Sequence, residues 1–359
     1  MRIIKLVSLF MLCLSLSLGC AAAPEKELAL LWPAPPQEPK FMYVRSYYGQ
    51  ADLVEIGFWD KFFGLPAMQG LDHPNGVFSH GDKMYVTLAG RGDIVVMDME
   101  KKSFKYFGDS SAVKLGRVAG ITGLADGSSI FVSDAGNKRV VAFDLNGTVK
   151  TIIGKKGELE NPAGVAVNST LGRLYVADSH GCKVNVYALT GELLFTFGKP
   201  GFGNGEFLYP SGVALQETSG KVYIVDTQNF RVQVFDQDGK FLDKFGELGD
   251  SFGNFSRPKG IAIDQYGHIY VVDAAFGNVQ VFDDKFRLLI FIGAVGDKPG
   301  QFNLPIGIFI DTKDRIFVTD SLNGRVSVFQ YLSEQWPREH PEEYKEMMLP
   351  QAQEQQGKK

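Results

Sequence analysis

A chain of 359 residues that is 45% hydrophobic and 12% aromatic has enough apolar material for a well-buried core, in one large domain or two ordinary ones, and belongs to the soluble globular class. Its formal net charge of −4 is a poor balance for a nucleic-acid binder. Beyond the N-terminus, no apolar run approaches the roughly 20 residues needed to cross a bilayer.

Residues 1–19 place Arg2 and Lys5 before an apolar run from Leu6 to Leu18 and then Gly19, which reads as a secretory signal peptide removed from the mature protein. Loss of Arg2 and Lys5 leaves 35 basic against 41 acidic residues. The segment ending this run, LSLGC, resembles the lipobox of bacterial lipoproteins, which implies that Cys20 becomes the lipidated first residue. Ser17 and Leu18 stand where that family usually has a leucine followed by a small residue. The alternative is an ordinary cleavage among Ala21, Ala22 and Ala23. Residues 20–40, with five prolines after Cys20, read as an extended spacer from the anchor. Of the three cysteines, Cys182 alone lies in the folded part, so no internal disulfide can form. There is neither C-x-x-C-H nor a Cys/His grouping of zinc spacing, and no metal or cofactor is implied.

The stretch FMYVRSYYG, Phe41 to Gly49, is a strand with no repeat before it. An insertion from Gln50 to His73 follows, in which Phe58, Trp59, Phe62 and Phe63 fall on one face of a short helix. That helix is either extra core over the fold or a partner or membrane-surface contact.

From residue 74 the chain repeats. Glycines 76, 120, 164, 212, 260 and 307 each open a short apolar strand, as in PAGVAV and PSGVAL, at spacings of 44, 44, 48, 48 and 47 residues. In most of the repeats a strand ending in Asp and a strand beginning with a base follow, as in VYIVDTQNFRVQVFD from Val222. Four short antiparallel strands in such a period make one propeller blade. The pattern resembles the NHL repeats over Phe41 to Gln330, which implies an all-β, six-bladed β-propeller. The sixth repeat lacks its fourth strand, and Phe41–Gly49 is predicted to supply it, closing the ring and hiding the open sheet edges.

Asp134, Asp178, Asp226, Asp273 and Asp320 end their strands where the chain reverses, and Arg139, Lys183, Arg231 and Arg325 follow five residues later. A feature present in nearly every blade reads as architecture: the carboxylate accepts backbone N–H groups in the turn and pairs with the base. The exceptions are Leu88 and Asp93 in blade one, Asn278 in blade five, and His180 with Cys182 in blade three. The interblade loops Gly198–Pro210, Gly246–Pro258 and Gly293–Pro305 carry Phe207, Phe255 and Phe302, expected to seat each loop against the next blade. Residues 331–359 form a polar tail, with a short helix from Pro341 to Met348 and a disordered end.

Propeller enzymes of the lactonase and lyase type hold a metal at the inner-strand mouth with carboxylates or histidines. Here the residues before the six glycines are Asn75, Ala119, Ala163, Ser211, Lys259 and Ile306, and those after are Val or Ile, which make no metal site. The preferred reading is therefore a non-catalytic, monomeric binding or scaffold propeller. It is exported, held at the membrane through its N-terminal lipid on the periplasmic or cell-surface side, and offers a loop face to a protein, peptide or glycan. The candidate binding residues on that face are Arg91, His180, Tyr209, Phe230, Arg257, Lys259 and Phe276. The alternative is a lactonase- or lyase-type enzyme with an atypical channel site.

Overall fold

The computed structural model describes residues 29–53, 68–107 and 113–356. Cys20 and the aromatic cluster Phe58 to Phe63 lie outside these. Contacts divide the chain into a unit of Leu30–Glu339 and a second whose described element is the helix Pro341–Gln356. That helix continues past Met348, where the sequence placed its end. Glu342 and Glu343 occupy its first turn, where acidic side chains suit the helix dipole.

Leu30–Glu339 folds as six antiparallel blades. Five are four-stranded sheets in chain order, spanning Pro74–Phe107, Val118–Ile153, Pro162–Phe197, Pro210–Phe245 and Pro258–Ile292. The sixth joins Pro305–Ile310, Arg315–Asp320 and Arg325–Tyr331 to the N-terminal strand Phe41–Tyr47. Phe41 pairs with Tyr331 and Tyr47 with Val326, so the ring is closed as the sequence predicted. Leu31–Trp32 adds a further short strand outside Phe41, because Trp32 packs edge-on against Phe329 at 5.6 Å. The folded unit thus takes in part of the segment expected to be spacer.

Burial explains the strand chemistry. Second strands such as Ile130–Asp134 and Ile269–Asp273 are buried at every residue, since neighbouring blades cover both faces, and they read as continuous apolar runs. Fourth strands such as Leu193–Phe197 alternate half-buried and exposed residues, since one face meets water. The interblade loops are seated by their phenylalanines: Phe207, Phe255 and Phe302 are fully buried. At Gly246, with φ +82°, a Cβ would run into the Phe255 ring, so only glycine serves. The shorter loop into blade three uses Leu159, buried beside Gly154, in the same way.

Candidate functional site

The six inner strands pack each on the next, and the last on the first. Their glycines mark the closest approach. A Cβ on Gly120 would stand 2.5 Å from the carbonyl oxygen of Ala163, and one on Gly212 the same distance from that of Lys259. Gly76, Gly164, Gly260 and Gly307 meet Ala119, Ser211, Ile306 and Asn75 in the same relation. Hydroxyls brace this axis: Thr87 donates to the Ala119 carbonyl, Ser133 to Ala163 at 2.6 Å and Ser211 to Lys259 at 2.9 Å. The residues after the glycines form an apolar ring in the channel. Ile121, Val165, Val213, Ile261 and Ile308 line both a chamber of about 330 Å³ toward the interblade loops and one of about 430 Å³ toward the opposite face.

The repeated aspartates are fully buried, and loop amides fill them. Asp226 accepts from Leu208 N at 2.7 Å, Asp320 from Asn303 N at 2.7 Å, Asp273 from Ser256 N at 2.7 Å, Asp178 from Glu160 N and Asn161 N, and Asp134 from Gly116 N. Arg139, Arg231 and Arg325 pair with Asp134, Asp226 and Asp320 at 2.9 to 3.0 Å. Arg231 also donates to the carbonyls of Phe202, Gly203 and Glu206, and Arg325 to those of Asp297, Lys298 and Gln301. Each guanidinium therefore ties a twelve-residue loop to its blade. Burial pushes the Asp226 and Asp320 carboxyls upward against these donors.

The expected pairing of Lys183 with Asp178 does not form among the described residues. Asp178 takes the amides of Glu160, Asn161 and Gly181 instead, and an ammonium lacks the fork that lets arginine hold carboxylate and loop together. In blade five Asn278 stands at the arginine position, and its buried side-chain oxygen has no hydrogen-bond partner among the described residues.

At the loop-face mouth the chamber is lined by Arg117, Asn161, Tyr209, Ser211, Asn75 and Lys259 among others, and no Asp or Glu is among the described lining residues. Arg117 donates to the Asn161 side-chain oxygen at 2.6 Å. His180 Nε2 lies 2.6 Å from the Tyr209 hydroxyl. The Lys259 ammonium has no hydrogen bond or ion pair among the described residues. Burial holds it below the ordinary lysine value, and neighbouring Arg257 adds to the effect.

The structure thus brings together Tyr209, His180 and Lys259, with Arg257 exposed beside them. It sets the other candidates apart. Arg91 covers the Tyr106 ring at 5.0 Å, donates to its hydroxyl and lies 3.5 Å from Asp93. Phe230, in a left-handed turn at φ 54°, packs on the buried cluster between blades four and five. Phe276 is half-buried in its turn. Sequence reasoning missed Arg117 and Asn161. They share the phase three before the periodic glycine with His73, Tyr209, Arg257 and Leu304, a phase with no common chemistry to reveal it.

Among the described residues, no group of three or more His, Cys, Asp or Glu is placed to hold a metal ion. A third cavity, about 820 Å³, runs along the rim between the outer strand of blade five and Trp32–Phe41. Its walls are largely apolar, and Phe252, 82% exposed, stacks on Phe291 at 5.8 Å.

Ring, blades and channel define a six-bladed β-propeller. The family model described as a 6-bladed beta-propeller matches residues 213–283, and that of the NHL repeat matches residues 159–187; the chain is a six-bladed propeller that carries an NHL repeat. No curated protein matches it by sequence. Among solved structures it is similar to virginiamycin B lyase from Staphylococcus aureus, at 12% identity and TM-score 0.57 over 81% of this chain and 99% of that one. A gluconolactonase from Xanthomonas campestris is similar at 15% identity and TM-score 0.56, over 72% and 86%. An auxiliary nutrient binding protein from Bacteroides thetaiotaomicron is similar at 15% and 0.56, over 73% and 70%. At these identities the likeness is one of fold.

Proposed function

We propose that the protein is a non-catalytic binding propeller, anchored at the bacterial envelope through a lipid on Cys20, that presents its loop face to an envelope or extracellular partner. One observation carries this reading: the repeated carboxylates are spent on loop amides, while the mouth of the channel keeps Lys259, Tyr209 and Arg117 turned to an open chamber. A convergent set of polar groups around a concave site is what ligand recognition needs. The test is capture from detergent-solubilised envelope by immobilised protein. The wild type is expected to retain a partner that the Tyr209→Ala, Lys259→Ala double variant loses at unchanged melting temperature. Equal capture by both would move the site off the mouth.

A second reading is a propeller enzyme of the lactonase or lyase type with an atypical channel site. The Lys259 ammonium favours it, because a partly desolvated amine is a more competent base than an exposed one. Turnover of a lactone by the wild type and not by Lys259→Met would support it over the binding reading.

A further inference from the structure

Resting on the loop-face reading, we infer that the chamber captures the C-terminal carboxylate of a peptide whose last residue is small and apolar. Three features of the chamber require such a guest together. The first is charge. Lys259 stands in blade five and Arg117 in blade two, on opposite sides of a six-bladed ring. With no acidic side chain among the described lining residues, an anion on the axis would lie between two cations in a protein whose net charge is negative. A cation without a partner in a partly desolvated site costs free energy that a carboxylate would recover.

The second feature is the floor. Below the cations the channel is walled by Val77, Ile121, Val165, Val213, Ile261 and Ile308, which offer nothing to a hydroxyl. A sugar acid entering by its carboxylate would press its hydroxyls on this ring and leave them unpaired. A terminal alanine or valine would bury its side chain there instead. The third is size: about 330 Å³ suits one or two residues entering end-on along the axis. Tyr209, Asn75 and Asn161 at the mouth then supply donors and acceptors for the last peptide groups. The amides of Gly76 and Gly307 do not compete for this role, since they already donate to Thr87 and Thr319.

The experiment uses the mature protein and an array of tetrapeptides that vary in the last residue, each made as free acid and as C-terminal amide, with affinities measured by fluorescence anisotropy at low salt. Free acids ending in alanine or valine are expected to bind at least tenfold more tightly than their amides, and to weaken as salt is raised. Lys259→Met should remove the acid preference, Lys259→Arg should restore part of it, and Arg117→Gln, an exposed change, should weaken binding of the acids alone. No acid preference at any terminal residue, or equal competition by glucuronate, overturns the inference. If Lys259→Met loses envelope capture while acids and amides bind alike, this inference falls and the loop-face reading stands. If the acids bind through Lys259 but never displace the captured partner, the loop-face reading falls instead.

Discussion

Thr319, in the last blade, donates its hydroxyl to the backbone carbonyl of Asn75, in the first, at 2.7 Å. The same hydroxyl receives Gly307 N at 2.7 Å, and a Cβ on Gly307 would overlap the Asn75 carbonyl. One threonine and one glycine therefore join the ends of the ring at the axis, as Phe41–Tyr47 joins them at the rim. Thr319→Val should cost about 1 to 3 kcal/mol through the stranded amide and carbonyl. Gly307→Ala should cost more, because the opposing atom is backbone and cannot move aside. Chemical denaturation of both variants gives the comparison, and a Gly307→Ala protein as stable as wild type would mean the axis is looser than described.

Deleting Phe41–Tyr47 should leave Arg325–Tyr331 with an unpaired edge and uncover Tyr270, against which Phe41 packs at 6.1 Å. The expected result is aggregation or loss of a single cooperative transition. Scattering and calorimetry on the deletion protein check this, and a cooperative monomer would count against closure as the source of stability.

Asp226→Ala removes an acceptor shared by Leu208 N, Asn229, Arg231 and Gln233. Arg231 is itself buried, so the variant strands a charge, and such losses cost about 3 to 5 kcal/mol. The melting temperature should fall steeply while acid-peptide binding per folded molecule is kept. Lost binding at an unchanged melting temperature would make the turn a site.

These aspartates and the axial glycines were legible in the sequence because backbone geometry repeats them, the glycines in all six blades and the aspartates in five: no Cβ fits at Gly120 or Gly212, and a carboxylate such as Asp226 takes the loop amide. The closing strand was legible because Phe41–Gly49 completes a count. The mouth was legible only in part. Tyr209, Arg257 and Lys259 stood out as irregular loop residues, but Arg117 and Asn161 share a phase with Tyr209 and Arg257 and no common chemistry, so periodicity passes over them, and only the fold sets them on one rim. Phe230 differs again: in the sequence it is an aromatic ring in a turn of small and polar residues, and in the structure it packs on the buried cluster between blades four and five.

His268 gives a pH dependence. Its Nδ1 lies 2.7 Å from the buried Asp264 carboxylate, and this hydrogen bond raises the imidazole above its usual value. A group raised on folding contributes stability that is full below the unfolded value, about 6.5, and is lost as pH climbs through the folded one. The melting temperatures of wild type and His268→Gln should therefore differ more at pH 5.5 than at pH 8.5. An equal difference at both would assign the residue's contribution to packing on Tyr331.

Cys20→Ser should move the protein from the membrane to the soluble fraction if the anchor is a lipid on that residue. Release of the wild type by salt alone would argue otherwise, because acyl burial is not screened by ions.

Phe230 and Tyr209 separate scaffold from recognition. Both adopt positive φ, 54° and 66°, so neither is there for backbone ease, and something must repay the strain. For Phe230 the return is packing, since its ring lies on the cluster that holds Val232, Phe255 and Phe282. For Tyr209 the described contacts are His180, at 2.6 Å and ring-to-ring at 5.2 Å, and the chamber itself. Phe230→Ala should thus lower stability by about 1 to 3 kcal/mol, in the range for a half-buried large-to-small change, and leave envelope capture per folded molecule intact. Tyr209→Ala should do the reverse, weakening capture with little movement of the melting temperature, because the described contacts it loses are a hydrogen bond and a ring contact to His180 at the rim. Were Phe230→Ala to lose capture at an unchanged melting temperature, recognition would sit on the turns of blades four and five that carry Phe230 and Phe276, and not at the mouth of the channel.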